Sequence, residues 1–459
     1  MTPMGRAILL TVILLLPSCR EALPETPLPV AGWIWARNEA PAAEERRELL
    51  HAGISRIYWQ IGELGGRGGR VRELATFPLP APSGESGPVF VPVIRIASET
   101  RLPADLPARE VAAWTKKAGV TREVQFDYDC PERLLQDYAR WLRDFRQASG
   151  VDQLSTTALG GWAITPGWRE VEKAVDMAFP MLYDVLPEVA PRPDGAPDAR
   201  PIVEAAYVTG LLRQWSDHCR VPWQAGLPNF TRLSLFRAGR SLGQIRSWTW
   251  EALAEPGACT NLSRPSGAPP GVTFLRVGNL RMLGGVPLQE GDLLAVKTCD
   301  PGALGEVLST LPRSKARGIV WFQLPRPGMA SNGWSLPFLV SKLAAPPRPI
   351  LRWDGSHLLL QNAGDGDYAP ILPQGHVLRL TVAPGSIREI LPGDFDSVEP
   401  LREGRAVPLM FASEICFRFT HLPAQASRRT GVLVLADPVP KIPLVRQATV
   451  NDALLEITP

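Results

Sequence analysis

The sequence lacks the residue clusters that mark several common classes of protein. Lys and Arg (49) nearly balance Asp and Glu (46), and no block rich in Lys or Arg occurs, which argues against a nucleic-acid partner. No two cysteines stand at CxxC spacing and the five histidines are scattered, so neither a zinc site nor a Cys/His or Ser/His/Asp catalytic set is indicated. No GxGxxG follows the first predicted strand, and the glycine-rich residues 65–69 predict a flexible loop without a following helix. The sequence therefore predicts no metal and no cofactor.

Long hydrophobic runs are also scarce. Residues 7–16 form an apolar run that is too short to cross the ~30 Å hydrocarbon core of a bilayer as a helix. The run follows Arg6 and is typical of a secretory signal peptide. Residues 16–19, Leu-Pro-Ser-Cys, resemble a bacterial lipobox, in which Cys19 becomes the lipidated first residue. We therefore expect a signal peptide over 1–19, a tether over 20–30 and an exported lipoprotein, membrane-anchored through Cys19 on the periplasmic or cell-surface side of the envelope. The alternative is an ordinary secretory signal with a chance cysteine.

Proline, in contrast, is abundant. It accounts for 47 of 459 residues, about twice its usual share, and it is spread along the chain. This distribution predicts many ordered loops between short elements. An exported chain can also form disulfides, and Cys219–Cys259 is a possible bridge, although the spacing alone assigns no pairing.

Between residues 31 and 345 the chain alternates short apolar strands with amphipathic helices. Eight runs have the character of strands: 32–37, 54–61, 89–97, 123–129, 153–159, 177–184, 222–227 and 318–324. This βα alternation predicts an α/β fold, a TIM-like (β/α)8 barrel, with an open doubly wound sheet as the alternative. Residues 245–300 interrupt the pattern, and 272–277 and 293–298 predict an extra hairpin or a βα insertion before the last strand.

After the proline pair at 346–347 the helical pattern stops. Residues 350–360 predict two strands around an Asp-Gly turn, and strand-like runs follow at 377–382, 415–419 and 431–435. We therefore expect a small all-β, sandwich-like domain over 349–445. One hypothesis makes this domain a carbohydrate-binding module whose stacking residues are Trp353, Tyr368 and Phe411; the alternative is that these side chains pack against the barrel.

The strongest cluster of candidate catalytic residues ends the fourth predicted strand. Residues 124–131 read Val-Gln-Phe-Asp-Tyr-Asp-Cys-Pro, so strand periodicity puts Gln125, Asp127 and Asp129 on one face. Active sites of barrels lie at the carboxyl ends of the strands. Two carboxylates this close repel each other, so one pKa rises and a general acid can persist at neutral pH. In the structural alternative, Asp129 caps the helix that begins near Pro131 and Asp127 is hydrogen-bonded within the fold.

Other strand ends supply further candidates. Tyr183 and Asp184 close the sixth strand, and Arg95 interrupts the apolar third strand, where it could pair with either acid. The second strand ends with Gln60 and Glu63. Candidate substrate-binding residues are Gln60, Arg95 and Gln125, together with Trp35, Arg37 and Trp321 on the first and eighth strands.

The motif over 124–131 is part of a longer resemblance. Together with residues 133–134, 138–139 and 154–159, it resembles the bacterial domain-of-unknown-function 3142 family over roughly 30–345. That family has no established activity, so the resemblance implies a fold and no reaction.

The chain is more distantly similar to the chitinase-like barrels of glycoside hydrolase family 18. Asp129 stands where that family has its general acid Glu, and Asp127 where it has the partner Asp. Residues 181–184 (Met-Leu-Tyr-Asp) and 225–228 (Ala-Gly-Leu-Pro) match the sixth and seventh strands, and 318–321 resembles the eighth with its Trp one position early. The chain also departs from the family: Gln125 replaces the first acid, Asp129 is shorter than Glu, and the third strand lacks Ser-x-Gly-Gly. These departures disfavour hydrolysis assisted by an N-acetyl group of the substrate.

The resemblance implies a carbohydrate partner and two competing functions. In the first, the barrel hydrolyses an envelope or environmental glycan, with Asp129 as general acid, Asp127 setting its pKa, and Tyr183 and Asp184 steadying the substrate. Without N-acetyl assistance, a second carboxylate is needed, and Asp184 or Glu63 could supply it. In the second, the chain is a non-catalytic, glycan- or protein-binding surface lipoprotein with a degenerate cleft. An open cleft around Asp129 favours the enzyme, and a buried, salt-bridged Asp129 favours binding.

Overall fold

The computed structural model describes residues 28–82, 87–120, 122–185, 200–255, 257–262, 270–325, 333–372, 375–435 and 445–458. The predicted signal peptide, Cys19 and most of the predicted tether lie outside these residues. Within the described ranges, no helix has both the length and the apolar character needed to cross a membrane.

Eight parallel strands close into a barrel. In chain order they are β1 (Val30–Ile34), β2 (Ile54–Arg67), β3 (Val89–Ile96), β4 (Glu123–Asp127), β5 (Gln153–Leu159), β6 (Met177–Met181), β7 (Ala225–Pro228) and β8 (Ile319–Phe322). Each strand pairs with the next, and β8 pairs with β1. The predicted barrel is thus confirmed, and its closure excludes the open doubly wound sheet.

The helices follow the strands along the chain. They are α1 (Ala43–His51), α2 (Ala108–Lys117), α3 (Leu135–Ser149), α4 (Trp168–Glu172), α5 (Ala205–His218), α6 (Trp250–Ala254), α7 (Pro301–Thr310) and α8 (Leu336–Val340). All of them except α6 pack on the core outside the barrel strands, whereas α6 packs in the core of the insertion between β7 and β8. Single turns of 3₁₀ helix occur at Glu132–Leu134, Gly160–Ile164, Leu311–Arg313 and Leu409–Phe411.

Helix α3 shows how the sequence builds this outer layer and aims β4. Its buried side chains recur at helical spacing, namely Leu135, Tyr138, Trp141, Leu142 and Phe145. Gly150 follows with φ 73°, a left-handed conformation that favours glycine, and ends the helix. The buried stripe packs on Phe126 of β4, whose ring centroid lies 4.9 Å from that of Trp141. Because strand side chains alternate between faces, this packing turns Gln125 and Asp127 toward the barrel interior.

An antiparallel insertion separates β7 from β8. Its five-stranded sheet has the order Arg240–Ile245, Arg232–Arg237, Leu293–Lys297, Val272–Val277 and Cys259–Asn261, and a hairpin joins Arg281–Leu283 to Val286–Leu288. Of the two predicted alternatives for this stretch, the βα insertion is wrong: Val272–Val277 and Leu293–Lys297 pair antiparallel with each other, as in the predicted extra hairpin. The strands of the insertion pair with one another rather than with the barrel.

Two expectations from the sequence are wrong. The glycine-rich residues 65–69 are not a flexible loop, because β2 continues to Arg67 and turns back into the antiparallel strand Arg70–Thr76. The possible Cys219–Cys259 bridge is absent: the five cysteines in the described part of the chain are free and buried. Cys219 packs in the core between barrel and helices, whereas Cys259 packs in the separate core of the insertion.

The C-terminal region is built from β-sheets, as predicted, and its strands pair antiparallel except for Pro349–Asp354 with Ile457–Thr458, which pair parallel. A four-stranded sheet has the order Ser427–Arg429, His357–Asn362, Pro349–Asp354 and Ile457–Thr458. A six-stranded sheet has the order Arg405–Ala406, Ser397–Arg402, Glu414–Phe419, His376–Val382, Val445–Val450 and Ala453–Leu455, and Ile387–Glu389 pairs with Val434–Leu435. Both large sheets contribute to one hydrophobic core, as in a sandwich.

Three aromatic residues of this region were candidates for sugar stacking. Trp353 and Tyr368 belong to the hydrophobic core of the sheets or pack against it, and Phe411 is exposed. Two of the three are therefore occupied by packing within the β domain itself.

A buried carboxylate joins the β domain to the barrel. Asp367 accepts hydrogen bonds from the backbone N–H of Ser335 (2.8 Å), the Ser335 hydroxyl (2.5 Å) and the backbone N–H of Ala424 (2.7 Å). Ser335 is also the N-cap of α8. Burial raises the pKa of Asp367. The backbone N–H of the adjacent Trp334 donates to Asn229, directly after β7, so the contact extends to the barrel mouth.

Candidate active site

A cleft of about 1120 Å³ opens at the carboxyl end of the barrel. Strand ends form its floor, and the insertion after β7 forms part of its wall. The structure brings together in this cleft the four predicted catalytic residues, Asp127, Asp129, Tyr183 and Asp184. Of the predicted substrate-binding residues, it places three here: Trp35, Gln60 and Arg95.

Asp127 is the most strongly perturbed group in the cleft. Its side chain is 8% exposed, and the Thr157 hydroxyl of β5 donates a hydrogen bond to Oδ1 at 2.7 Å. Burial, together with the negative charge of Asp129, raises the pKa of Asp127 to about 6, against the opposing effects of the Arg95 guanidinium and the Thr157 hydrogen bond. Asp127 therefore retains a proton in mildly acidic solution.

Asp129 occupies the more open position. Its side chain is 39% exposed and lines the cleft two residues beyond Asp127. The helical turn that follows begins after Pro131, and no side chain caps either this turn or α3. The capping alternative for Asp129 is thus wrong, and the carboxylate is free to meet a ligand.

Arg95 lies among three carboxylates, which we call the acid cluster: Glu63, Asp127 and Asp129. Its nitrogens stand 3.8 Å from Glu63, 3.6 Å from Asp127 and 3.7 Å from Asp129. These distances exceed those of hydrogen bonds, so the guanidinium acts mainly through its charge. One cation facing three acids leaves the cluster negative when all are ionised, which favours the retention of one proton.

Tyr183 adds an aromatic face and a hydroxyl. Its ring stacks on Phe322 at 5.8 Å and meets Phe230 edge-on at 5.7 Å. Burial, reinforced by the negative charges of Asp127 and Asp129, raises the pKa of Tyr183 well above its ordinary value. The phenol therefore stays protonated and is available as a hydrogen-bond donor beside the acids.

Asp184 is tied to the insertion. It adopts φ 52° at the end of β6 and forms an ion pair with Arg232, the first residue of an insertion strand. A carboxylate held by a guanidinium is a poor second catalytic base, so this contact favours an anchoring role for Asp184. Of the two predicted second carboxylates, Glu63 is the better placed, because it lines the cleft within the acid cluster.

Gln125 was predicted to bind substrate, but it does not reach the cleft. It is fully buried, and its side-chain oxygen accepts a hydrogen bond from Trp33 Nε1 at 2.6 Å. The residue that replaces the family's first acid therefore supports the barrel interior beneath Asp127.

Arg37 and Trp321, also predicted to bind substrate, are likewise not among the cleft residues. Arg37 forms a two-pronged ion pair with Glu45 of α1, with distances of 2.5 and 2.7 Å. Trp321 belongs to the core between barrel and helices, because β8 directs Val320 and Phe322 to the other face. On this strand the cleft is lined by Phe322 and by the following Gln323.

The contribution of the insertion to the cleft was not predicted from the sequence. The first hairpin of the insertion and the segment that follows it line the cleft, and Arg232, Gln244, Arg246 and Trp248 are among the residues they contribute. The sequence contains one sign of this hairpin, the Ala-Gly pair at 238–239. Both residues have positive φ and form the turn between two strands that pair antiparallel. Within the described ranges, no group of three or more His, Cys, Asp or Glu residues is arranged to hold a metal ion.

Comparisons with known proteins were made by family, by sequence and by structure. No family model and no curated protein matches the chain, so membership of the domain-of-unknown-function 3142 family stays a prediction. Chitinase ChiA74 from Bacillus thuringiensis is 11% identical with a TM-score of 0.41, covering 93% of this chain and 100% of that one. The spore cortex-lytic enzyme SleL from Bacillus megaterium QM B1551 is 11% identical with a TM-score of 0.41, covering 69% and 73%. A family 18 chitinase from Chromobacterium violaceum is 11% identical with a TM-score of 0.37, covering 94% and 91%.

Proposed function

We propose that the barrel is a glycoside hydrolase that cleaves a glycan by acid catalysis. The observation that carries the proposal is the pair at the end of β4: Asp127 is buried with a pKa of about 6, and Asp129 is exposed in a cleft of about 1120 Å³. Glycoside hydrolysis needs one carboxyl group that keeps its proton and a second carboxylate near it. The similarity of the β4 motif to glycoside hydrolase family 18 supports the same reaction class.

Each group has a defined task in this proposal. Asp127, which retains a proton in mildly acidic solution, passes it to Asp129, and Asp129 donates it to the glycosidic oxygen as the bond to the anomeric carbon breaks. Water supplies the hydroxyl group to that carbon, and Glu63 takes the proton that the water releases. The hydroxyl of Tyr183 donates to the sugar, and Trp35 offers a face for stacking.

The test is a glycan panel assayed for both binding and hydrolysis with the mature protein. We expect Asp129→Asn to lower kcat by roughly 10²- to 10⁴-fold, the range typical of a lost acid–base group, without changing the thermal unfolding curve. Asp217→Asn, an exposed position on α5 outside the cleft, is the matched control and should match the wild type. Unchanged hydrolysis by Asp129→Asn would overturn the assignment.

The second candidate function is glycan binding without turnover. The observation that favours it is the position of Arg95, whose guanidinium stands 3.6 Å from Asp127 and 3.7 Å from Asp129 and opposes the rise of the Asp127 pKa. An acid that stays ionised donates no proton. Binding of a panel glycan by the wild type without any hydrolysis would select this function.

We also propose that the chain is exported and anchored by a lipid on Cys19, which is supported by the sequence of residues 1–19 alone. The full chain, expressed in a bacterial host, should incorporate labelled palmitate and partition into a detergent phase. Cys19→Ala should lose both properties. Equal labelling and partitioning of the two proteins would refute the anchor.

A further inference from the structure

A second cavity, of about 560 Å³, adjoins the cleft. The two cavities share three lining residues: Glu132, Gly161 and Tyr207. The far side of the second cavity is formed by α5 and by the segment that follows β5. Because its near wall is also a wall of the cleft, a chain-like ligand can extend from one cavity into the other.

The lining of the second cavity combines apolar faces with hydrogen-bonding groups. Tyr207 is 42% exposed and Ile164 is 57% exposed, and Gln214 and Glu132 stand beside them. An accessible aromatic ring among a few polar groups is suited to a sugar, which presents an apolar face and hydroxyl edges.

Two glycines keep this space open. A Cβ atom added to Gly210 in α5 would meet nothing within 4 Å, and one added to Gly161 would meet only a Glu132 carboxylate oxygen at 3.7 Å. Glycine inside a helix costs roughly 0.5–1 kcal/mol relative to alanine, so helix stability does not account for Gly210. Its lack of a side chain leaves the helix surface accessible from the cavity.

We propose that the second cavity is a distal subsite for the glycan that enters the cleft. The inference rests on the proposed function and specifies its substrate class: an oligosaccharide or polysaccharide that spans both cavities, rather than a single sugar or a disaccharide. Glu132, in the shared wall, follows Asp129 by three residues in the same short segment. A glycan that fills both cavities therefore passes Asp129 in the cleft and continues past Glu132 into the second cavity.

Chitooligosaccharides from disaccharide to hexasaccharide, with a matched cello-oligosaccharide series, are the probes for the test. Gly210→Leu fills the second cavity from α5, and Thr209→Leu adds similar bulk one residue earlier, outside both cavities. Tyr207→Ala removes the aromatic face, and Tyr207→Phe restores the ring. Hydrolysis and calorimetric binding are measured on every variant of the full mature chain.

We expect Gly210→Leu to lose about tenfold or more in kcat/KM on the hexasaccharide, which corresponds to the loss of one good contact, with little change on the disaccharide. Thr209→Leu should resemble the wild type, and Tyr207→Phe should retain more hexasaccharide hydrolysis than Tyr207→Ala because it keeps the ring. Wild-type hydrolysis in which Gly210→Leu affects no length, or all lengths equally, overturns the distal subsite and leaves the proposed function standing. Length-dependent binding that Gly210→Leu abolishes, without any hydrolysis, overturns the proposed function and supports the subsite. Absence of both binding and hydrolysis overturns both.

Discussion

The substitution Asp127→Asn tests the protonation of Asp127 through the pH dependence of the free energy of unfolding. The pKa of Asp127 is about 6 in the folded protein, against an ordinary value of 3.8. Below pH 4 the Asp127 carboxyl is protonated in both the folded and the unfolded states, and the free energy of unfolding is then at its highest with respect to this group. As the pH rises from about 4 to 6, the unfolded chain loses this proton first, so the free energy of unfolding falls with pH.

The size of the effect follows from the shift. Each pKa unit corresponds to 1.36 kcal/mol, so a shift of about two units removes about 3 kcal/mol between pH 4 and pH 7. Asn keeps an oxygen that accepts from Thr157 and does not titrate. We therefore expect Asp127→Asn to gain about 3 kcal/mol relative to the wild type over this interval, while glycan hydrolysis is lost.

Urea unfolding followed by tryptophan fluorescence at pH 4, 5, 6 and 7 provides the measurement. Thirteen of the 14 tryptophans precede residue 345, so the signal reports the barrel and its insertion. Taking the difference between variant and wild type cancels the titration of all other groups. Asp217→Asn, at an exposed site, serves as the control and should give a flat difference. A flat or falling difference for Asp127→Asn refutes the reasoning, because a carboxyl that ionises at its ordinary pH contributes no such slope.

Two further predictions concern other charges. Arg95→Met removes the cation that opposes the rise of the Asp127 pKa, so this pKa should exceed 6. The pH profile of kcat/KM should then move to higher pH. A profile that does not move contradicts the role of Arg95. Asp367→Ala leaves three buried donors, on Ser335 and Ala424, without their acceptor, and should cost about 3 kcal/mol in urea unfolding. A loss within measurement error shows that the contact between barrel and β domain is dispensable.

The barrel and the position of its acids were predictable from local sequence. The barrel strands are recognisable as apolar runs. Side chains alternate between the two faces of β4, so when the ring of Phe126 packs on the apolar side of α3, Asp127 points into the barrel. These features depend on residues within one strand or one βα unit. Local periodicity is therefore sufficient to find them.

The misplaced residues have specific physical causes. Arg37 was assigned by extending the alternation of β1, but the strand ends at Ile34 and Ala36 adopts φ 50°, which breaks the periodicity. Trp321 was assigned to the wrong face of β8, and an error of one residue reverses every side chain of a strand. The sequence of a single strand does not show which of its two faces points into the barrel; the pairing with neighbouring strands decides this.

The ion pair of Asp184 with Arg232 illustrates a different limit. The partner lies on the antiparallel insertion, whose sheet brings Arg232–Arg237 beside Leu293–Lys297. Contacts that depend on the pairing of distant segments cannot be predicted from the sequence periodicity around either residue. The pKa rise at Asp127, by comparison, was predicted for one of the two acids, and only burial by the folded barrel decided which one.

The hydrogen bonds of Asp367 bear on the evolution of this architecture. Asp367 holds the N-cap of α8, and the next residue inward, Trp334, holds Asn229 beside the cleft, where Asn229 also donates to the carbonyl oxygen of Gln323. The β domain thus completes a relay of hydrogen bonds that ends at the mouth of the barrel. A gene fragment encoding only the barrel would lack the last member of that relay. If recombination exchanged the β domain for another module, the new module would have to supply a hydrogen-bond acceptor for the N-cap of α8. We therefore expect the barrel and the β domain to be inherited as one unit.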